Sequence, residues 1–272
     1  KSIRDTAALL DSMQVVQPAA AFQTSLYEEG YLQSLTPSSK KSFKVAFSLS
    51  SPIGQPVSPE SKKAVLNAVK WLELNGFEVE EDSPDIDGID LMKSYYVMNS
   101  GETATMLGTL EKSTGRPVTQ EDVELLTWVL FQAGKSLGAV DYSNALLKWD
   151  DAAEKVDTFS QEYDLYLQPT TAETAPRIDR VYWNDAFKEK MRHIDSYSPI
   201  EQQQLIWEMW EESLTMTPFT QQANLTGQPS ISLPTHLTEE GLPLGIQLTA
   251  PKGKEHWLLQ IGHLMESDGF FC

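Results

Sequence analysis

The segment 219–255 contains two short apolar stretches separated by a turn, and it constrains the fold more than any other part of the chain. The first stretch, residues 230–233, follows a rigid Gln228-Pro229 step, and the second covers residues 244–249. A turn around Glu240-Gly241 lies between them. Apolar strands on both sides of such a turn are typical of a β-hairpin. The sequence therefore predicts two antiparallel strands near the C-terminal end of the chain.

A second pattern predicts parallel strands. Residues 43–47 form an apolar stretch, Ser58-Pro59 is a typical helix start, and Gly76 is a typical helix end. Phe77 and Val79 then alternate with acidic residues as in a strand. A strand, a helix and a strand in this order predict a βαβ unit, whose two strands run parallel. The buried stripe of the helix is predicted to consist of Val65, Val69 and Leu72.

The rest of the chain is mostly helical by its pattern, with one more strand predicted at 164–168. Further helices are predicted near the start of the chain and at 91–110, 119–134, 141–163, 198–214 and 255–266. We find neither an internal repeat nor a clear linker. The prediction is therefore one single α/β unit over residues 1–272.

The charge balance excludes some classes of partner. The formal net charge is −18, whereas nucleic acids and anionic membrane surfaces bind basic surfaces. We therefore expect neither a nucleic-acid nor a membrane partner. No apolar run reaches the length of a transmembrane helix, and a cytoplasmic location is predicted. Cys272 is the only cysteine, so an internal disulfide is impossible.

No cofactor or metal is predicted. Asp85, Asp87 and Asp90 lack the spacing of a calcium loop. His256 and His263 lie seven residues apart on the last predicted helix, which is a poor spacing for a shared metal ion. Glycine-rich phosphate-binding motifs are absent from the sequence.

Several segments resemble, in the same order, the C-terminal portion of the amidase signature family. The matching segments are KSIRDTAALLD, PIGQPVSPESKKAVLNAVKWLELNGFEVEE, YDLYLQPTTAETAP, FTQQANLTGQPSISLP and GLPLGIQL. The resemblance implies a partial amidase-signature fold, in which α-helices cover a mixed β-sheet. It also implies hydrolysis of carbon–nitrogen bonds by a Ser–Ser–Lys mechanism. Within the fourth of these segments, the stretches FTQQAN and TGQPSISLP are most similar to amidases that act on linear and cyclic aminohexanoate amides.

The catalytic half of the family pattern has no counterpart in this sequence. Amide hydrolysis needs an activated nucleophile, a base and donors for the oxyanion. The serines of Ser38-Ser39-Lys40 lack neighbouring glycines, and Ser48, Ser50 and Ser51 precede Pro52 in a loop. We therefore predict no catalytic residue here and expect a C-terminal portion whose Ser–Ser–Lys residues lie upstream. The chain alone is expected to be inactive, and its parent to act on a small-molecule amide.

Five residues are candidates for substrate binding in such a parent enzyme. Thr170 and Thr171 follow a predicted strand, at the sheet edge where α/β proteins bind ligands, and the alternative is that they cap a turn. Asn224 lies beside the hairpin and can instead satisfy local backbone. Tyr95 and Asn99, with neighbouring Ser100, interrupt an apolar helix and can instead face solvent.

Two other functions fit parts of the pattern. One is the A subunit of a glutamine-dependent tRNA amidotransferase, in which an acidic residue tends to precede the glutamate of the last helix. Lys254 occupies that position here and counts against this alternative. The other is a non-catalytic docking module. Loss of the catalytic part would expose apolar surface, so we also expect a homodimer.

Overall fold

A computed structural model describes residues 2–36 and 42–272. In this part of the chain, one mixed sheet has the strand order β2-β1-β3-β5-β4. Strand β1 is parallel to β2 and β3, whereas β5 is antiparallel to β3 and β4. The strands are β1 (Lys44–Phe47), β2 (Glu78–Glu81), β3 (Leu165–Pro169), β4 (Ser230–Leu237) and β5 (Pro243–Thr249). The predicted α/β class, the parallel βαβ pair and the antiparallel hairpin are confirmed.

Helices occupy most of the remaining described residues. In chain order they are α1 (Ile3–Met13), α2 (Tyr31–Ser34), α3 (Pro59–Leu74), α4 (Gly88–Thr114), α5 (Leu125–Lys135), α6 (Ala139–Phe159), α7 (Asp185–Arg192), α8 (Pro199–Met216), α9 (Thr220–Thr226) and α10 (Glu255–Ser267). A short 3-10 turn, Ile194–Ser196, connects α7 to α8. None of the helices described is long and apolar enough to cross a membrane.

Side-chain caps fix the starts of several helices, as the sequence predicts. The hydroxyl of Ser58 accepts a hydrogen bond from the backbone of Ser61, and Pro59 opens α3. Ser198 and Glu201 bond to each other's backbone at the start of α8, which is a capping box. These bonds satisfy backbone N–H groups that have no partner inside the helix.

The two faces of the sheet differ in polarity, and strand register decides which residues share a face. One face packs against α1, α3 and α10 in the main core. The apolar face carries Val45, Leu165, Leu167, Leu233, Ile246 and Leu248. The other face carries Tyr166, Gln168, Ser230, Ser232, Gln247 and Thr249. The sheet therefore holds the hydrophobic core on one side and presents hydroxyl and amide groups on the other.

The helical layer forms a second core. Helices α4, α5, α6, α7 and α8 bury apolar side chains against one another, including Val129, Met191, Ile206 and Met209. Gly134 on α5 allows this packing, because a Cβ atom at that position would lie 2.0 Å from the carbonyl oxygen of Ser100 on α4. The close approach of α4 and α5 thus requires glycine here.

The differences from the sequence-based expectation include one helix start and one additional helix. The helix predicted at 119–134 begins at Leu125, because the carboxylate of Asp122 accepts bonds from the backbone and hydroxyl of Thr119 and holds a turn. Helix α7 lies in a segment where no helix was predicted. Asn184 caps it by accepting a bond from the backbone of Phe187.

Candidate functional site

A cavity of about 380 Å³ lies between α4, α8 and α9, and we call it the α4–α8–α9 cavity. Its volume falls in the range of small-molecule sites, roughly 300–1,000 Å³. Its walls come from α4 (Met92, Tyr95, Tyr96, Asn99), from α8 and its C-cap (Trp210, Ser213, Leu214, Thr217) and from α9 (Thr220, Gln221, Asn224, Leu225). Three of the five residues predicted to bind substrate, Tyr95, Asn99 and Asn224, therefore line the same cavity. Their role in binding stays a prediction.

Helical spacing explains why these side chains converge. The four residues of α4 lie at positions i, i+3, i+4 and i+7, and Trp210, Ser213 and Leu214 lie at positions i, i+3 and i+4 of α8, followed by the C-cap Thr217. Such residues form one stripe along a helix, so each helix presents a single face to the cavity. The sequence signal for α8 was therefore present in the spacing of Trp210, Ser213, Leu214 and Thr217. None of these residues was selected from the sequence as a candidate.

Burial is graded across the cavity. Met92, Tyr96, Leu214 and Leu225 are buried and form an apolar floor. Asn224 and Thr217 are exposed, and the remaining polar groups are half-buried. We call the exposed side the mouth. A molecule that enters the cavity thus passes neutral polar groups first and reaches hydrocarbon and aromatic surface last.

None of the described residues that line this cavity carries a formal charge, although 22% of the whole chain is Asp, Glu, Lys or Arg. Burial raises the pKa of Tyr96 far above its usual range, with a smaller contribution from nearby Tyr95. The Tyr96 hydroxyl therefore stays neutral at physiological pH. The amide nitrogen of Asn99 donates to the Tyr95 hydroxyl over 3.4 Å.

Two polar atoms of cavity residues have no hydrogen-bond partner among the described residues. They are the indole Nε1 of Trp210 and the amide Oε1 of Gln221, and both are screened from solvent. An unpaired polar group that is buried costs about 1–3 kcal/mol. Both atoms belong to residues of the cavity wall, but neither atom is exposed to solvent in the cavity.

Thr170 and Thr171 are not among the residues that line this cavity. The Oγ1 atom of Thr170 lies 2.8 Å from the Oγ atom of Ser232, on the polar face of the sheet. Gly245 lies beside this pair, since a Cβ atom there would lie 3.0 Å from each of the two hydroxyl oxygens. Thr171 donates to the carbonyl oxygen of Glu173, which is the turn-capping alternative considered for it.

A row of polar side chains crosses the sheet next to Thr170. Ser232, Gln247 and Gln168 lie opposite one another on adjacent strands and so share a face. Gln168 donates to the carbonyl oxygen of Phe219, whereas Nε2 of the buried Gln247 has no partner among the described residues. Thr170 therefore belongs to a polar surface of the sheet that is separate from the residues lining the cavity.

A larger cavity, of about 420 Å³, lies beside the start of α4 and has a different character. Its charged side chains pair with one another, with 2.5 Å between Lys148 Nζ and Asp90 Oδ1 and 3.2 Å between Lys155 Nζ and Asp151 Oδ2. These pairs are solvent-exposed, and such pairs contribute little to binding or stability. The arrangement resembles an ordinary charged surface groove.

The serines considered as nucleophiles are used in local turns. Ser48 accepts a bond from the backbone of Ser50, and Ser51 accepts one from the backbone of Ile53. In the described ranges, no hydrogen bond joins a serine hydroxyl to a lysine ammonium group. The segment Ser38-Ser39-Lys40 lies outside the described residues. Ser100 is buried and donates to the carbonyl oxygen of Tyr96 in its own helix.

Comparisons with known proteins agree on one family. The family model described as Amidase matches residues 1–259. The lipoamidase of Enterococcus faecalis is 40% identical over 264 residues, which cover 94% of this chain and 35% of the relative. The 6-aminohexanoate-cyclic-dimer hydrolase of Pseudomonas sp. (strain NK87) is 27% identical over 269 residues, which cover 98% of this chain and 52% of the relative.

Solved structures give the same result. A structure of 6-aminohexanoate cyclic dimer hydrolase superposes with a TM-score of 0.84 at 26% identity, covering 98% of this chain and 53% of that protein. The chain thus spans about a third to a half of the length of the relatives it matches.

Proposed function

The chain belongs to the amidase family, and we propose that it forms the substrate-binding part of an enzyme that hydrolyses a carbon–nitrogen amide bond. The match of residues 1–259 to the family and the similarity to two kinds of amide hydrolase support this proposal. The α4–α8–α9 cavity carries it, because Tyr95, Asn99 and Asn224 meet there around a space of small-molecule size. The substrate class we propose is small linear or cyclic amides, because the relatives include 6-aminohexanoate-cyclic-dimer hydrolases.

The reaction needs a nucleophile, and we propose that it comes from outside this chain. Hydrolysis of an amide requires an activated hydroxyl, a base and donors for the developing oxyanion. The hydroxyl oxygens of Ser48 and Ser51 accept hydrogen bonds from nearby backbone N–H groups in turns. We therefore assign the Ser–Ser–Lys residues to sequence outside these 272 residues, and we expect this chain alone to be inactive. The part of the relatives that this chain does not span leaves room for such residues.

The amidotransferase alternative gains no support from the last helix. Lys254 immediately precedes α10, and its Nζ atom lies 5.2 Å from the ring centroid of Trp257. A cation at this position does not suit the recognition of an α-amino group, because like charges repel. The cytoplasmic location stays a prediction.

A serine-directed fluorophosphonate probe tests the assignment of the nucleophile. We expect it to label a longer protein that contains this sequence together with the upstream region of its gene, and to leave the present chain unlabelled. The longer protein should also release ammonia from hexanamide. Stoichiometric labelling of the present chain, or an unlabelled longer protein without amidase activity, would contradict the proposal.

A further inference from the structure

We infer that the α4–α8–α9 cavity selects an uncharged chain of the substrate and rejects chains that end in an ammonium or a carboxylate group. This inference rests on the proposed function, because it names the substrate class of the same site. It concerns the group that reaches the floor of the cavity. Amide hydrolysis as such does not require this selectivity.

The first step of the argument is the burial of the floor. Met92, Tyr96, Leu214 and Leu225 are each less than 8% exposed and offer hydrocarbon or ring surface. An ionic group that reaches them loses its hydration. Removing an ion from water is costly unless the protein supplies an opposite charge or several hydrogen bonds.

The second step is the lack of a counter-charge. The described residues that line the cavity are apolar, aromatic, amide or hydroxyl side chains. Tyr96, the one ionisable group of the floor, stays neutral because burial raises its pKa. A carboxylate meets no cation in this lining, and an ammonium group meets no anion.

The third step is the order of polar and apolar groups. Asn99, Thr217 and Asn224 supply amide and hydroxyl groups toward the mouth, where a neutral amide of the ligand can form hydrogen bonds. The apolar floor then accommodates a hydrocarbon chain. A molecule with an amide at one end and an uncharged chain at the other matches this arrangement.

Three probes of equal chain length separate the effect of charge from that of size. They are hexanamide, 6-aminohexanamide and the monoamide of hexanedioic acid, which are neutral, cationic and anionic at neutral pH. Binding to the present chain is followed by the indole N–H resonance of Trp210, which the variant Trp210→Phe identifies. We expect hexanamide to shift this resonance and both charged probes to bind at least about tenfold more weakly.

The cationic probe, 6-aminohexanamide, gives the stricter test of the inference. The net charge of −18 attracts cations toward the protein surface, so weak binding of 6-aminohexanamide cannot arise from the overall field. Equal affinities for the three probes would overturn the inference. The absence of any shift with hexanamide at tens of millimolar would also overturn it.

A pair of variants tests whether the lining sets the selectivity. Thr220→Asp introduces a carboxylate into the cavity wall at the first residue of α9, where a helix start tolerates negative charge. Thr215→Asp makes the same change on α8 at a half-buried position outside the lining. We expect Thr220→Asp to improve binding of 6-aminohexanamide relative to hexanamide about fivefold or more, and Thr215→Asp to leave the ratio unchanged. If both variants changed this affinity ratio equally, the selectivity would not arise from the cavity lining.

The outcomes distinguish this inference from the proposed function. Selective binding of hexanamide together with an unlabelled, inactive longer protein would leave the cavity selectivity standing and remove the amidase assignment. If the longer protein hydrolysed hexanamide while the three probes bound equally, the amidase assignment would stand and the cavity selectivity would be refuted. Thermal unfolding of each variant identifies a loss of binding that results from a loss of structure.

Discussion

The imidazole Nε2 atom of His236 lies 2.7 Å from the carboxylate Oε2 atom of Glu60 and joins strand β4 to the first turn of α3. His236 is buried, whereas the Glu60 side chain is about a third exposed. The hydrogen bond to His236 is the main reason why the pKa of Glu60 lies below its ordinary value. This contact therefore connects the hairpin to the βαβ unit through one charged hydrogen bond.

The first prediction concerns the pH dependence of this contact. Because the pKa of Glu60 is lower in the folded than in the unfolded state, its stabilising contribution is present above the unfolded value and is lost as the pH falls through the folded value. The variant Glu60→Gln should be less stable than the parent at neutral pH, and the difference should shrink in acid. Urea unfolding at several pH values measures this difference in the free energy of unfolding. The exposed Glu240→Gln is the matched control, and an equal pH dependence in both variants would refute the assignment.

The second prediction concerns the close contact of α4 and α5. Gly134→Ala should lower the free energy of unfolding by about 1–3 kcal/mol, because the new methyl group overlaps the backbone of Ser100. Gly108→Ala, in the middle of α4, has no atom within 4 Å of its new Cβ atom. This control should be neutral or more stable by about 0.5–1 kcal/mol. If the two variants lost the same free energy of unfolding in chemical denaturation, α4 and α5 would be farther apart than in the structure.

The third prediction concerns the start of α8, which carries one wall of the cavity. Ser198→Ala removes the capping hydroxyl and should lower the free energy of unfolding by about 1 kcal/mol. Ser198→Thr keeps the hydroxyl and should retain most of the stability. Urea denaturation of both variants provides the measurement. Equal losses in the two variants would mean that the cap contributes nothing.

The fourth prediction concerns substrate binding by the longer protein. Asn99→Ala should raise KM for hexanamide about tenfold, as expected for one lost hydrogen bond, with a smaller change in kcat. Asn144→Ala, which lines the charged groove on α6, should leave both parameters unchanged. Steady-state kinetics distinguish these results. An unchanged KM in Asn99→Ala would remove this residue from the binding site.

The fifth prediction concerns the association state of the present chain, which we propose to be a homodimer. Several large apolar side chains near its start are exposed, among them Met13 (65%), Val16 (61%) and Phe22 (92%). Contiguous exposed apolar surface favours association. Sedimentation equilibrium should show a dimer, and the double change of Val16 and Phe22 to serine should yield monomers. A monomeric parent chain at high concentration would contradict this expectation.

Local sequence patterns were sufficient for much of the fold. Ser58-Pro59 and Ser198-Pro199 predicted the starts of α3 and α8, because a capping hydroxyl followed by proline acts within one helical turn. The alternation of Ile246, Gln247 and Leu248 likewise reflects a strand with one apolar face. The start of α5 was placed too early, since the turn held by Asp122 depends on a side-chain bond that the hydrophobic pattern does not record.

The candidate site was only partly accessible from the sequence. Tyr95 and Asn99 were selected as polar interruptions of an apolar helix and Asn224 for its place beside the hairpin, and all three line one cavity. Thr170 was selected because it follows a predicted strand at the sheet edge, yet it pairs with Ser232 on the sheet. One-dimensional patterns mark a polar residue as unusual. They do not say which partner it meets.

The sequence by itself determined the α/β class, the βαβ unit and the hairpin, because backbone propensity, capping and side-chain alternation act between residues that are close in the chain. The tertiary structure alone decided that Tyr95 and Asn224 share a cavity and that Trp210 lies in its wall. More than eighty residues separate α4 from α8 and α9 in the chain. Their meeting depends on how the apolar stripes of these helices pack against one another, and that packing is a property of the whole folded chain.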